Sequence, residues 1–182
     1  FVSEDLGKLQ KAVTGLRRER MELKQTRRKE MLGLRRIDPD VAIEKNTWFH
    51  LGINSCEDML YSLRRICDPC VEHIDNSFVP LDKERVKEFL PLRDTLLYLL
   101  KRVCGVISAG DFTDVQKLNE QCDAFKHCLS QTRDEQMARM QAGRENITVS
   151  YVYLNILQET QEMASSLKHM LRAARHFSEG RA

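Results

Sequence analysis

The chain has 182 residues, of which 31% are charged and only 7% aromatic, and it contains four prolines. This balance is typical of a helical bundle and not of a sheet protein, and the length suffices for one elongated domain with a sizeable core. A formal net charge of +2 excludes a uniformly basic surface of the kind that binds nucleic acid. The sequence shows no signal peptide and no apolar run of the ~20 residues that span a bilayer. Because it begins at Phe1, we expect a fragment or a processed form.

The first predicted helix covers residues 3–36 and is basic in its second half. Apolar residues recur at steps of three and four, but Arg20 and Arg27 occupy positions where that rhythm requires apolar residues. The candidates for contact with an anionic membrane surface or an acidic partner are Arg17, Arg18, Lys24, Arg27, Arg28, Lys29, Arg35 and Arg36. A solvent-exposed helix end is the alternative. Nucleic acid is disfavoured as a partner, because the basic span contains no aromatic residue that could stack on a base.

The second predicted helix covers residues 38–77, with Asp38 as its cap and Pro39 at its first position. One apolar face is formed by Ala42, Phe49, Ile53, Cys56, Leu60, Leu63, Cys67, Cys70 and Ile74. Pro69 predicts a kink or a local opening near Cys67. An unbroken helix of this length extends for roughly 60 Å and needs other helices against its apolar face. We therefore expect the chain to be organised around it.

Three more helices are predicted over residues 82–108, 114–141 and 147–177, with Gly110 suited to the end of the first of them. The residues predicted to face inward in the last two are Val115, Leu118, Cys122, Phe125, Leu129 and Met140, then Tyr151, Leu154, Leu157, Ala164, Leu167 and Leu171. Short connections predict that successive helices are antiparallel neighbours. The predicted fold is an all-α, elongated antiparallel bundle of about five long helices, in a single domain over residues 1–182.

No arrangement of residues in the sequence points to catalysis. Cys67, Cys70 and His73 come nearest to a zinc pattern, but a structural zinc site needs four ligands and the chain has no second pair of this kind. There is no Gly-rich phosphate loop, no HExxH and no GxSxG. The six cysteines lie within helical patterns, which indicates reduced core thiols in a cytosolic compartment. We predict a protein that is not an enzyme and carries no cofactor.

Two segments resemble the soluble tail of bacterial sodium/phosphate cotransporters, a PhoU-like helical domain that follows the transmembrane segments. They are residues 56–81, CEDMLYSLRRICDPCVEHIDNSFVPL, and residues 153–177, YLNILQETQEMASSLKHMLRAARHF. A PhoU repeat is a three-helix unit. The resemblance therefore implies one full repeat over residues 82–182 and the end of a preceding repeat over residues 1–78.

Function and partners follow from the same resemblance. It implies a non-catalytic regulatory or assembly domain of a sodium-dependent phosphate transporter. Such a domain lies at the cytoplasmic face of the inner membrane, and its main partner is the transmembrane domain of the same polypeptide. The alternatives are a free-standing PhoU-like regulator of phosphate uptake and a spectrin-like helical scaffold unrelated to phosphate. A homo-oligomer is a further candidate, because long bundles often leave an apolar stripe uncovered.

PhoU proteins can hold metal clusters through pairs of carboxylates four residues apart. The matching pairs here are Gln158 with Glu162 and Asp58 with Ser62, so each pair has lost one carboxylate. Hard cations and iron clusters need several anionic oxygens. Asp58, Gln158 and Glu162 are thus weak metal candidates, and we predict that metal sites are absent or weak.

Overall fold

The computed structural model describes residues 1–34 and 39–179. They form five helices, which are α1 (Leu6–Leu34), α2 (Pro39–Asp75), α3 (Lys83–Ala109), α4 (Val115–Gln141) and α5 (Ile147–Glu179). No strand occurs in the described residues, and the prediction of an all-α helical bundle is confirmed. The predicted helix ends that the structure describes agree with the observed ends to within three residues. Arg35, Arg36, the predicted cap Asp38 and the side chain of Ala42 lie outside the described residues.

Polar side chains set the starts of α3 and α5. The Asp82 carboxylate accepts hydrogen bonds from the backbone N–H groups of Glu84 at 2.8 Å and Arg85 at 2.9 Å. It therefore caps α3. Asn146 accepts a bond of 3.3 Å from a backbone N–H in the first turn of α5. At the other end of α3, Gly110 has a φ of 66°, in the left-handed region that glycine adopts without steric cost.

The helix at the centre of the bundle is α5, whereas the sequence led us to expect α2. It packs against α2, α3 and α4, while α1 packs only against α2 in the described part of the chain. α2 is flanked by α1 and α5, so its apolar residues are divided between two neighbours and few are fully enclosed. The core residues are Met59, Leu92, Leu99, Val103, Val115, Leu118, Cys122, Phe125, Leu129, Tyr153, Leu157, Met163, Ala164, Leu167 and Leu171. The prediction that Tyr151 faces inward is wrong, because that side chain is 65% exposed.

Small residues form the face of α2 that packs against α5. Ser55 and Ser62 are buried together with Met59, which lies between them on the same face. A Cβ added to Gly52 on this face would lie 3.7 Å from the Cβ of Ala173 in α5. The two helices therefore approach closely. A sequence pattern of large apolar residues does not reveal such a face.

A gap separates α2 from α3, although the two are consecutive in the chain. No Cα of α2 lies within 8 Å of a Cα of α3 among the described residues. Helices in direct contact have axes only about 8–10 Å apart. The rule that successive helices are neighbours therefore holds for the other three connections and fails for this one.

α2 continues through Pro69 as an unbroken helix, where the sequence predicts a kink or an opening. Proline has no backbone N–H, so the carbonyl of Arg65, four residues earlier, loses its helical partner. Asn155 of α5 donates a hydrogen bond to this carbonyl at 2.8 Å. The guanidinium of Arg65 lies 2.9 Å from the carboxylate of Glu159, one turn further along α5. α5 thus supplies the hydrogen bond that α2 lacks, and the same contacts set the register of the two helices.

Candidate functional site

An apolar groove follows α2 on the side where α3 does not reach it. Its first part has a volume of about 500 Å³ and its second part about 430 Å³. Cys56 and Met170 line both parts, so the two parts adjoin along α2. It runs from Lys45 to Leu63, which is about five turns of helix or ~27 Å. It is open to solvent along one side.

Four helices and one turn contribute the apolar lining. α5 forms the floor of the first part, with α2 on one side and the end of α3 and the following turn on the other. The side chains there include Trp48, Phe49, Ile53, Ile107, Phe112, Met170 and Phe177. In the second part α1 joins the lining, and the side chains include Leu23, Met59, Leu60, Leu63, Leu100 and Cys104.

Lys45, Trp48 and Phe177 line one end of the groove. The ammonium of Lys45 lies 5.7 Å from the centroid of the Phe177 ring, and the guanidinium of Arg172 lies 5.9 Å from the Trp48 ring. Cations at such positions are attracted to the negative face of the ring. The imidazole of His176 stacks on Trp48, with ring centroids 4.2 Å apart and an angle of 15° between the planes. Lys45 therefore gives this aromatic end a positive charge, whereas Arg172 and His176 pack against Trp48 outside the groove lining.

The opposite end of the groove has acidic residues in its wall. Glu19 and Glu22 of α1 line the second part. Both lie near Arg18, whose guanidinium is 3.3 Å from the carboxylate of Glu19 and 3.7 Å from that of Glu22. One arginine thus serves both carboxylates, which are the charged side chains that line this part of the groove.

Two sulfur atoms meet where the two parts of the groove join. The Cys56 thiol donates to the Met170 sulfur at 3.4 Å. Burial raises the pKa of Cys56, and the nearby Cys104 thiol adds to the effect. Cys56 therefore remains a neutral thiol at physiological pH and behaves as part of the apolar floor.

The basic residues of α1 divide into two groups. Those that are exposed to solvent are Arg17, Arg18, Lys24, Arg28 and Lys29. Arg27 instead packs between α1 and α2, where its guanidinium lies 3.6 Å from the Glu57 carboxylate and 3.3 Å from Nδ1 of His50. This pairing explains why an arginine occupies an inward position of α1. Arg35 and Arg36 lie outside the described residues.

The three metal candidates do not come together, because Asp58 lies on α2 while Gln158 and Glu162 are neighbours on α5. Asp58 is exposed on α2, beside Arg17 and Arg64. Gln158 accepts a hydrogen bond from Arg133 of α4 and donates one to Glu162 at 3.0 Å. No group of three or more His, Cys, Asp or Glu side chains in residues 1–34 and 39–179 could hold a metal ion.

Cys67, Cys70 and His73 are buried at the end of α2. Nε2 of His73 donates to the carbonyl of Val79 at 2.8 Å, which ties the α2–α3 connection to the helix. Burial raises the pKa of Cys70 to about 12 and raises that of Cys67 as well. Both thiols are therefore neutral at physiological pH when no metal is bound.

A partly buried ionic network joins α3, α4, α5 and the turn that precedes α5. Tyr153 donates its hydroxyl to Glu88 at 2.8 Å, and Arg139 lies 3.2 Å from the same carboxylate. Arg139 and Arg85 both reach Glu145, at 3.5 Å and 3.3 Å. Burial and the bond to Glu88 raise the pKa of Tyr153. Each charge has an opposite partner, so we assign this network a structural role.

The sequence did not predict the groove, although its apolar pattern includes some of the lining residues. Phe49, Ile53 and Cys56 belong to the apolar stripe that the sequence places on one face of α2. In the structure all three are only half-buried, because the stripe extends beyond the helices that cover it. The remaining lining residues come from α3 and α5, and no sequence pattern links them to α2.

Comparison of the chain with protein-family models, with curated proteins and with solved structures finds no match. None of the described helices has an apolar stretch that could cross a bilayer. The fold and the groove define the protein as a helical bundle with an open apolar groove between helices. Its likeness to the PhoU-like cotransporter tail stays a prediction from the sequence.

Proposed function

We propose that this chain is a non-catalytic regulatory or assembly domain that holds a helix of a partner in its apolar groove. The groove itself carries the proposal. Amphipathic helices bind in such grooves through apolar side chains at steps of three and four residues. A groove of ~27 Å accommodates about 18 residues of helix.

The open side of the groove favours a helix over a small molecule. Pockets for small ligands enclose most of the ligand surface, roughly 70–90%. This groove is open along its length and lies between α2 and α3, whose Cα atoms nowhere approach within 8 Å among the described residues. An amphipathic helix placed there buries its apolar face and leaves its polar face in water.

The sequence resemblance supplies the identity of the partner. It implies a sodium-dependent phosphate transporter whose transmembrane domain belongs to the same polypeptide. The domain then lies at the cytoplasmic face of the inner membrane. The exposed basic residues of α1 suit that position, because anionic lipids attract clustered lysines and arginines.

Site-specific crosslinking in the cells that make the full-length product tests this proposal. A photoreactive amino acid replaces Ile53 in the groove, and in a control it replaces Met137, which is 46% exposed on α4. We expect crosslinks from position 53 to map onto a helical segment of a phosphate transporter, and none from position 137. Equal crosslinking from both positions, or crosslinks from position 53 only to unrelated proteins, would contradict the proposal.

A pair of isoleucines on α2 provides a functional test. Ile53→Glu puts a charge into the groove, whereas Ile43→Glu puts the same charge at a position that is 69% exposed. We expect the first change to alter the rate or regulation of sodium-driven phosphate uptake and the second to leave it unchanged. Thermal unfolding of both variants checks that each is folded. Unaltered uptake in a folded Ile53→Glu protein would refute the link to transport.

A further inference from the structure

We propose, on the basis of the function proposed above, that the helix bound in the groove has an acidic end, which lies against Lys45. This assignment goes beyond the shape of the groove. It names the charge that the partner carries and the end of the groove where that charge is placed.

Lys45 is the cation that lines this end of the groove. Its ammonium lies over the Phe177 ring, and both residues belong to the apolar surface that the partner covers. No carboxylate in the described residues lies within ion-pair distance of Lys45. Docking an apolar helix there with no negative charge would remove water from this ammonium without compensation.

The charges at the opposite end of the groove favour the same orientation of the bound helix. The wall there contains Glu19 and Glu22, which share one arginine. An acidic partner end placed there would meet like charges, which suppresses the reversed arrangement. The charge of the groove therefore distinguishes its two ends and selects the placement of the partner.

Two peptides test the assignment. Each has 18 residues and the same apolar face, and one terminal turn carries three glutamates in the first peptide and three lysines in the second. Trp48 is the only tryptophan in the chain and lines the groove, so its fluorescence reports binding directly. At ~50 mM salt we expect the glutamate peptide to bind about tenfold more tightly, with the difference largely lost at ~0.5 M salt.

Charge reversal identifies the end that is used. Lys45→Glu should lower the affinity for the glutamate peptide three- to tenfold and raise the affinity for the lysine peptide. Lys87 is exposed on α3 outside the groove, so Lys87→Glu should leave the affinities for both peptides unchanged. Equal affinity for the two peptides, or equal effects of Lys45→Glu on both, would overturn the charge assignment and leave the helix-binding function intact.

Other occupants of the groove give different results. If Trp48 fluorescence responds to neither peptide, the helix-binding function fails and the charge assignment fails with it. If it responds to palmitate alone, the occupant is a lipid. If sedimentation shows a dimer that Ile53→Glu dissociates and Ile43→Glu does not, the occupant is a second copy of this chain. Each of these last two outcomes also overturns the proposal.

Discussion

Asn155 compensates for a proline in a neighbouring helix, and this role can be tested by a double-mutant cycle. The Arg65 carbonyl has no helical donor because residue 69 is proline, and Asn155 donates to it at 2.8 Å. If this account is correct, the importance of Asn155 depends on Pro69. Alanine at position 69 restores a backbone N–H that can donate to the same carbonyl, and the bond from Asn155 then becomes dispensable.

The expected free energies follow from the setting of this hydrogen bond. A typical intramolecular hydrogen bond contributes about 1 kcal/mol net, and an acceptor left without a partner costs more if it is buried. Asn155 is half-buried, so water can partly replace it. We expect Asn155→Ala to lower the free energy of unfolding by about 1 kcal/mol in the wild type, and by only a few tenths in the Pro69→Ala background. Pro69→Ala alone should stabilise α2, since proline costs up to ~3 kcal/mol in a helix interior.

Urea unfolding followed by circular dichroism at 222 nm measures all four members of the cycle. Gln161→Ala is the matched control, because Gln161 also lies on α5 and donates to Ser130 of α4 at 3.0 Å. Gln161→Ala should lower the free energy of unfolding by the same amount with proline or alanine at position 69. A coupling energy of about 0.7 kcal/mol between positions 155 and 69 is expected, which is the difference between the costs of Asn155→Ala in the two backgrounds. If Asn155→Ala costs the same in both backgrounds, the compensation account is wrong.

Three further predictions concern the thiols and one glycine. At pH 8, Ellman's reagent should react quickly with the exposed thiols of Cys104 and Cys128, and with Cys70 only after unfolding. Rapid reaction of Cys70 would show that the end of α2 opens. Burial raises the pKa of Cys70 from 9.0 to about 12, so its contribution to stability is complete below pH 9 and is lost as the pH rises toward 12. Cys70→Ala should therefore flatten the fall in the free energy of unfolding over that interval, and an unchanged slope would argue against the burial of this thiol. Gly52→Ala should raise the melting temperature by about 1–3 °C, because alanine favours the helix. The added Cβ would lie 3.7 Å from the Cβ of Ala173, which is an ordinary contact. A lower melting temperature would mean that α2 and α5 lie too close together to accept this Cβ.

Asn155 also shows how far the resemblance could guide the interpretation. The resemblance covers residues 153–177, and it assigns Gln158 and Glu162 to a metal pair that has lost one carboxylate. In the structure Asn155 and Glu159 contact α2, while Gln158 turns toward Arg133 of α4. One helical segment therefore divides its side chains between two neighbouring helices, and the sequence does not show which neighbour each residue meets.

The sequence by itself determined the number of helices, their approximate ends and the inward face of α4. These features depend on local chemistry. Asp82 caps the helix that follows it, Gly110 adopts a left-handed turn, and side chains three and four residues apart share a helix face. Each of these effects acts within a few residues of the chain.

Only the tertiary structure decided which helix is central, which face of α2 is buried and where the groove lies. Ser55 and Ser62 are buried because small side chains let α2 approach α5, while larger apolar residues such as Ile53 remain half-exposed beside the gap to α3. The continuity of α2 through Pro69 also depends on Asn155, which is 86 residues further along the chain. These features arise from contacts between segments that are distant in sequence, and a local pattern carries no information about such pairs.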